Sequence, residues 1–338
     1  MLGRRSFVVA GGAAGSGLFI YLALRGIDLS ELETAFAQAE LLPWLPLALA
    51  LFSLAYVLRG VRCRLLVRRS ANISFSTATN VVVIGYAANN VLPARLGELV
   101  RAGMLAERAN VPVSQSLGVT FIERVLDGLA LLLLLVLGTI SVDVPSWMNE
   151  LVLVAAAVFG IATAVMFVGA LRPSLVINLA GRIGGLLSTG WQSRLTKLAT
   201  NVTNAGECLR RPNDAFVLVG YSIAIWCFES SIYLFLLPVF GIPLSFQTGL
   251  ITMCVTGFGL LLPSSPGFIG PFHYFASQTL MIFGVAHSTA LAYASLVHLS
   301  FFVPLTVAGG CIMLWYGVAL ESTAARAREA VSAETTIT

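Results

Sequence analysis

Charge is what this sequence has least of. Asp, Glu, Lys and Arg together make up 11% of its 338 residues, against 57% hydrophobic residues. A soluble domain carries about 25% charged residues, so this chain cannot supply the polar coat of a water-soluble protein of its length. An ordinary cytosolic enzyme, a disordered chain and a nucleic-acid binder are thereby excluded, and a polytopic membrane protein is indicated. Paired cysteines are lacking too. Cys63, Cys208, Cys227, Cys254 and Cys311 are scattered without a CxxC pair, which indicates neither a disulfide framework nor a zinc site. The histidines are His273, His287 and His298, and no third ligand stands at a useful spacing from His273 and His298, so no metal is expected. There is no nucleotide-binding loop and no DxD-like acidic pair, and no cofactor is expected.

What is present is long apolar runs. A membrane helix needs about 20 apolar residues, and such runs occur at about 6–25, 41–58, 118–140, 151–171, 215–239 and 289–316. Arg4-Arg5 precede the first of them. It reads as a retained helix, because the nearest small-x-small cleavage site, Ala35-Phe36-Ala37, lies beyond an acidic stretch. Two further runs are broken: 76–112 by LPARLGELVRA at Leu92–Ala102, and 247–284 by LPSSPGFIGP at Leu262–Pro271. Proline and clustered glycine end helices, and the backbone groups they leave survive at membrane depth only inside protein or beside a watery cavity.

Basic loops stay cytoplasmic. Arg4 and Arg5 place the N-terminus inside, and the acidic loop 26–40 lies outside despite Arg25 at its edge. The loop 59–75, with Arg59, Arg62, Arg64, Arg68 and Arg69, lies inside. The loop 141–150 lies outside, and the connection 172–214 lies inside as an amphipathic helix on an anionic leaflet. The tail 317–338, with Arg326 and Arg328, is expected to be cytoplasmic and disordered. On this count 76–112 starts and ends inside and 247–284 starts and ends outside, so each reads as a re-entrant hairpin.

The two breaks share Leu-Pro followed three residues later by Gly, at Leu92-Pro93…Gly97 and Leu262-Pro263…Gly267, an offset of 263 − 93 = 170. The same offset carries 41–58 onto the run from 215 and 118–140 onto the last run. The expected fold is therefore an all-α polytopic integral membrane protein with about six full transmembrane helices plus two re-entrant helical hairpins, arranged as inverted repeats over about 41–140 and 215–316 within a membrane domain 1–316. Inverted repeats with broken helices at matching positions mark transporters whose site lies where the breaks meet.

Charges inside these runs are costly, roughly 2.5–3.5 kcal/mol each on insertion scales, and so they mark the candidate site. Glu123, Arg124 and Asp127 fall in one apolar run, with Glu123 and Asp127 on one helical face. Arg95, Glu98 and Arg101 repeat every three residues in the first break, and Glu229 stands alone in 215–239. Two readings stay open: an arginine–carboxylate network that pins the fold, or arginines that grip an anionic lipid headgroup, which a guanidinium fork suits. In the second break Ser264, Ser265, Gly267 and Gly270, followed by Pro271, offer hydroxyls and free N–H groups at a helix start. His273 and His298 are either buried hydrogen-bonding groups or headgroup contacts, and Asn90 before the first break is a further candidate.

NNVLPARLGELVRAGML (Asn89–Leu105), FIERVLDGLALL (Phe121–Leu132) and LLPSSPGFIGPFHYFA (Leu261–Ala276) resemble the three signature blocks of the lysylphosphatidylglycerol synthase transmembrane region, or flippase-like domain, family over about 5–316. The resemblance implies a lipid-handling membrane protein. In two-domain members the membrane part is taken to move aminoacylated phospholipid from the inner to the outer leaflet, while a soluble C-terminal domain makes that lipid. This chain resembles a single-domain member without the synthase domain, and other such members are linked to isoprenoid or glycan-lipid pathways. The matching positions are Asn90, Pro93, Arg95, Gly97, Glu98 and Arg101, then Glu123, Arg124 and Asp127, then Pro263, Pro266, Gly267 and Gly270. Many members carry Glu where this chain has His273, which puts a shared headgroup preference in doubt.

The expected function is a flippase-like lipid translocator of the cell inner membrane rather than an enzyme, moving an anionic phospholipid or a polyprenyl-phosphate-linked lipid. A membrane-embedded transferase using Glu98, Glu123 or Asp127 as base, and a non-transporting subunit of a lipid-synthesis complex, are the alternatives. The expected partners are the lipid and the bilayer, with a homodimer allowed and nucleic acid excluded.

Overall fold

A computed structural model describes residues 16–92, 95–140, 142–261, 265–316 and 329. Helices and turns make up these residues, with no strand among them. Helix α1 runs over 16–24, followed by α2 (Leu29–Ala37), α3 (Trp44–Val67), α4 (Phe75–Val91), α5 (Gly97–Ala109), α6 (Val113–Thr139) and α7 (Ser146–Leu171). Then come α8 (Pro173–Leu187), α9 (Thr189–Ala205), α10 (Pro212–Phe235), α11 (Phe246–Gly259), α12 (Pro271–Ile282) and α13 (His287–Tyr316).

Among the described residues four segments are long and apolar enough to cross a membrane: Trp44–Val67, Ser146–Leu171, Pro212–Phe240 and His287–Tyr316. They coincide with four of the six runs expected to span. A fifth run became α6, long but charged over its middle, and half of the first run, residues 6–15, lies outside the described residues, as do Arg4 and Arg5. The molecule is apolar on the outside as well as within. On α7, Leu153 is 69% exposed and Ile161 67%, a surface that suits hydrocarbon and not water.

Local chemistry sets the element ends. Ser74 accepts a hydrogen bond from Thr77 N at 3.0 Å to cap α4, and Ser245 does the same for Thr248 N at 3.2 Å to cap α11. Proline occupies the first position of α8, α10 and α12, where a missing N–H costs nothing. Asn110, at φ 51°, ends α5 in the left-handed conformation that asparagine tolerates. Pro304 sits inside α13 and the helix continues through it.

Both broken runs are pairs of helices that pack on each other, α4 with α5 and α11 with α12. Gly97 opens α5 so close to α4 that a Cβ there would collide with backbone at Gly85 and Asn89. Around these pairs, α4 packs on α13 and α11 on α6, while α3 and α10 form an extensive interface with each other.

Two expectations need correction. The segment 59–75 is not a basic loop at its start: α3 continues to Val67, and Arg59 and Arg62 are 2% and 1% exposed within it. They are interior cations and drop out of any count of loop charges. The connection 172–214 is not one amphipathic helix but two, α8 and α9, folded back on each other at Ser188. Gly184 and Gly181 permit that approach, the first against backbone at Gln192 and the second against Thr196.

Candidate functional site: an arginine-lined cavity where the helix breaks meet

The end of α4, the turn before α5 and the turn between α11 and α12 come together beside α3, α6 and α10. At that junction lies a cavity of about 370 Å³. Its polar side is formed by Arg59, Arg95, Glu98, Arg124, Asp127 and Glu229. Its aromatic and apolar side includes Phe52, Tyr56, Tyr86, Phe159, Trp226 and Phe268. Phe159 reaches in from α7 because Gly128 of α6 has no Cβ to block its ring.

Of the three arginines lining the cavity, Arg59 is the most enclosed. One arm donates to Tyr86 Oη at 2.8 Å and approaches Asp127 Oδ2 at 3.4 Å, while the other is paired with Glu229. The rings of Tyr56, Tyr86 and Trp226 surround it with centroids 5.8, 5.1 and 5.2 Å from its Cζ. Arg124 donates from its Nη2 to the same Tyr86 Oη at 2.7 Å and lies 3.4 Å from Asp127 Oδ2. Two guanidiniums thus share one phenol oxygen at the cavity wall. Arg95, held at φ 55°, donates to the carbonyl of Leu260 at the end of α11 and covers the Phe268 ring at 5.6 Å. Arg95 thus ties the first break to the second, and the turn at 266–268 also packs on α4.

A second layer stands behind the first. Arg62 Nη1 donates to Asp127 Oδ1 at 2.6 Å and to Ser222 Oγ at 2.8 Å, and Trp226 Nε1 donates to Asp127 Oδ1 at 3.2 Å. Arg62 Nε lies 3.9 Å from Glu123 Oε1, and Arg101 is paired with Glu123. Five guanidiniums, those of Arg59, Arg62, Arg95, Arg101 and Arg124, face four carboxylates, so 5 − 4 leaves one positive charge in excess. The lining itself balances, Arg59, Arg95 and Arg124 against Glu98, Asp127 and Glu229, and the excess sits in the layer behind it, where Arg62 and Arg101 meet Glu123. Three guanidiniums beside an aromatic wall, backed by that excess, suit an anion.

Of the residues proposed from sequence, the structure brings Asn90, Arg95, Glu98, Arg124 and Asp127 to the cavity. Asn90 Nδ2 also donates to Thr306 Oγ1 at 2.9 Å, tying α4 to α13. Arg101 and Glu123 are buried away from it in their own pair, 3% and 1% exposed. Ser264 lies outside the described residues, with Leu262 and Pro263 next to it and with Pro93 and Ala94 of the first break. The groups of the second break face elsewhere. Ser265 N donates to Ser16 Oγ at 2.8 Å, and a Cβ on Gly270 would collide with the Ser16 carbonyl of α1. The Gly267 carbonyl accepts from His298 Nε2 at 2.8 Å. His273 and His298 have ring centroids 4.9 Å apart, with Phe272 stacked on His298; half-buried His273 and buried His298 form a cluster beside Phe301 and are not part of the cavity lining. Among the described residues no group of three or more His, Cys, Asp or Glu could hold a metal ion.

Sequence reasoning left out Arg59, Tyr86 and Trp226, and named Glu229 without giving it a partner. The signal was available: Arg59 and Glu229 differ by 229 − 59 = 170, and so do Tyr56 and Trp226.

The family profile described as lysylphosphatidylglycerol synthase TM region matches residues 8–309. The chain belongs to this family. The match takes in both breaks, both caps and every residue of the cavity. Comparison with curated proteins and with solved structures yields no match. Family and apolar helices together make this a membrane protein, and membership points to lipid handling.

Proposed function

We propose that the protein moves a lipid with an anionic, phosphate-bearing headgroup between leaflets, and that the headgroup passes through the cavity between the two breaks. The observation that carries this reading is the convergence of Arg59, Arg95 and Arg124 on one interior chamber lined by the ends of both broken segments. A chamber of about 370 Å³ suits a headgroup rather than a whole lipid, and the acyl or isoprenoid chains stay in the bilayer. Arg95 and Arg124 supply forked donors for phosphate oxygens. Glu123 and Asp127 are already engaged by arginines, which disfavours their use as catalytic bases and supports transport over a transferase reading.

In this proposal the α4–α5 and α11–α12 pairs are re-entrant hairpins entering from opposite faces of the cell membrane, and both termini are cytoplasmic. The halves, about 41–140 and 215–316, are inverted repeats. Support comes from the matched caps Ser74 and Ser245 and from reciprocal packing, with α4 on α13 and α11 on α6.

The test is movement of fluorescent phosphatidylglycerol in liposomes holding the purified protein. Movement is expected to exceed that of protein-free liposomes and to fall at least about tenfold in Arg124→Ala, the loss of one charge-assisted contact. Equal rates for wild type, variant and empty liposomes would remove the proposal.

A further inference from the structure

Glu229 stands apart from the other paired acids of the network. Its side chain is 19% exposed, against 5% for Asp127 and 1% for Glu123. Asp127 is gripped by Arg59, Arg62, Arg124 and Trp226. Among the described residues Glu229 has Arg59 as its ion-pair partner and no second one. Arg59 is fixed where it is by Tyr86, Asp127 and three aromatic rings. Of the two partners, the carboxylate is the less tightly held, and it borders the cavity.

Resting on the translocator reading, we propose that Glu229 is a built-in stand-in for the headgroup phosphate. It neutralises Arg59 while the chamber is empty and is displaced from it when the phosphate of a lipid headgroup arrives. The exchange keeps Arg59 paired at every stage, so the cation is never stranded in a dry site, which would be costly. It also carries a mechanical consequence. Arg59 belongs to α3 and Glu229 to α10, the two helices that face each other across the extensive interface between the halves. Binding therefore removes one of the ties between the halves at the moment the site is filled.

The experiment measures binding of water-soluble short-chain phosphatidylglycerol to the full chain in detergent. Trp226 emission, isolated by subtracting a Trp226→Phe control, gives the readout, since this ring lies 5.2 Å from the Arg59 Cζ. Glu229→Gln removes the competing charge and is expected to tighten binding about tenfold. Glu229→Asp, which keeps the charge but shortens its reach, is expected to fall between wild type and Glu229→Gln, and it carries the test should the glutamine variant fail to fold. Arg95→Ala is expected to weaken binding in the same assay. Unchanged or weaker binding in the Glu229 variants, with the Arg95 effect intact, overturns the stand-in role and leaves the translocator reading standing. Binding indifferent to both Glu229 and Arg95 overturns the translocator reading itself. A parallel titration with inorganic phosphate separates the two sources of the anion: saturation as tight as that of the lipid would make free phosphate the ligand and sink both.

Discussion

The two halves of the molecule share a frame and differ in charge. Residues 41–140 hold nine arginines and four acids, whereas 212–316 contain no lysine or arginine and two acids, Asp214 and Glu229. Yet helices of corresponding length and order occur in both, α3 to α6 and α10 to α13, and both have a helix capped by Ser in the same Ser-Phe-x-Thr setting at Ser74 and Ser245. The shared frame brings the breaks together, and the unequal charge polarises the chamber between them. One half provides the cations. The other provides apolar and aromatic walls, a backbone carbonyl at Leu260 and one movable carboxylate.

That contrast predicts unequal tolerance to substitution. The largest effect is expected in the charged half. Asp127→Ala leaves Arg59, Arg62 and Arg124 without their common acceptor and should cost about 3–5 kcal/mol, the usual penalty for breaking a buried ion pair from one side. A denaturation titration in mixed micelles reads this as an early midpoint or a loss of folded yield, and a wild-type midpoint would show that the network contributes little. A middle-sized effect should be the same in both halves. Ser74→Ala and Ser245→Ala should each lower stability by about 1 kcal/mol, and a large inequality between them would argue against corresponding roles. The smallest effect is expected in the half without arginine. Thr256 is fully buried, but its hydroxyl donates to Thr252 O within its own helix at 2.6 Å. Thr256→Val should therefore change stability by less than about 1 kcal/mol.

Much of this was legible before any coordinates. The apolar runs, the two breaks and the cluster Glu123, Arg124 and Asp127 stand out because each is a local pattern. Arg59 and Arg62 were misread because Arg64, Arg68 and Arg69 follow them closely, so the group looked like one basic loop. Nothing local tells a cation in the last turns of a helix from one just beyond it. What distinguishes them is the acid each one meets, and for Arg59 that acid lies 170 residues away. The second break was misread for the same reason. Its residues suggest open N–H groups for an anion, but Ser16, 249 residues before Ser265, takes the Ser265 N–H and also packs against Gly270. Contacts of such sequence separation are visible only through a repeat offset or a fold.

The most direct test of the headgroup chamber is photo-crosslinking. Phosphatidylglycerol bearing a diazirine on its headgroup is incorporated with the protein into bilayers, illuminated, and the labelled peptides are mapped by mass spectrometry. The account predicts labels on the segments holding Tyr86, Trp226 and Phe268, diminished in Arg124→Ala. Labels confined to the outward face of α7, around Leu153 and Ile161, with none in the chamber, would contradict it.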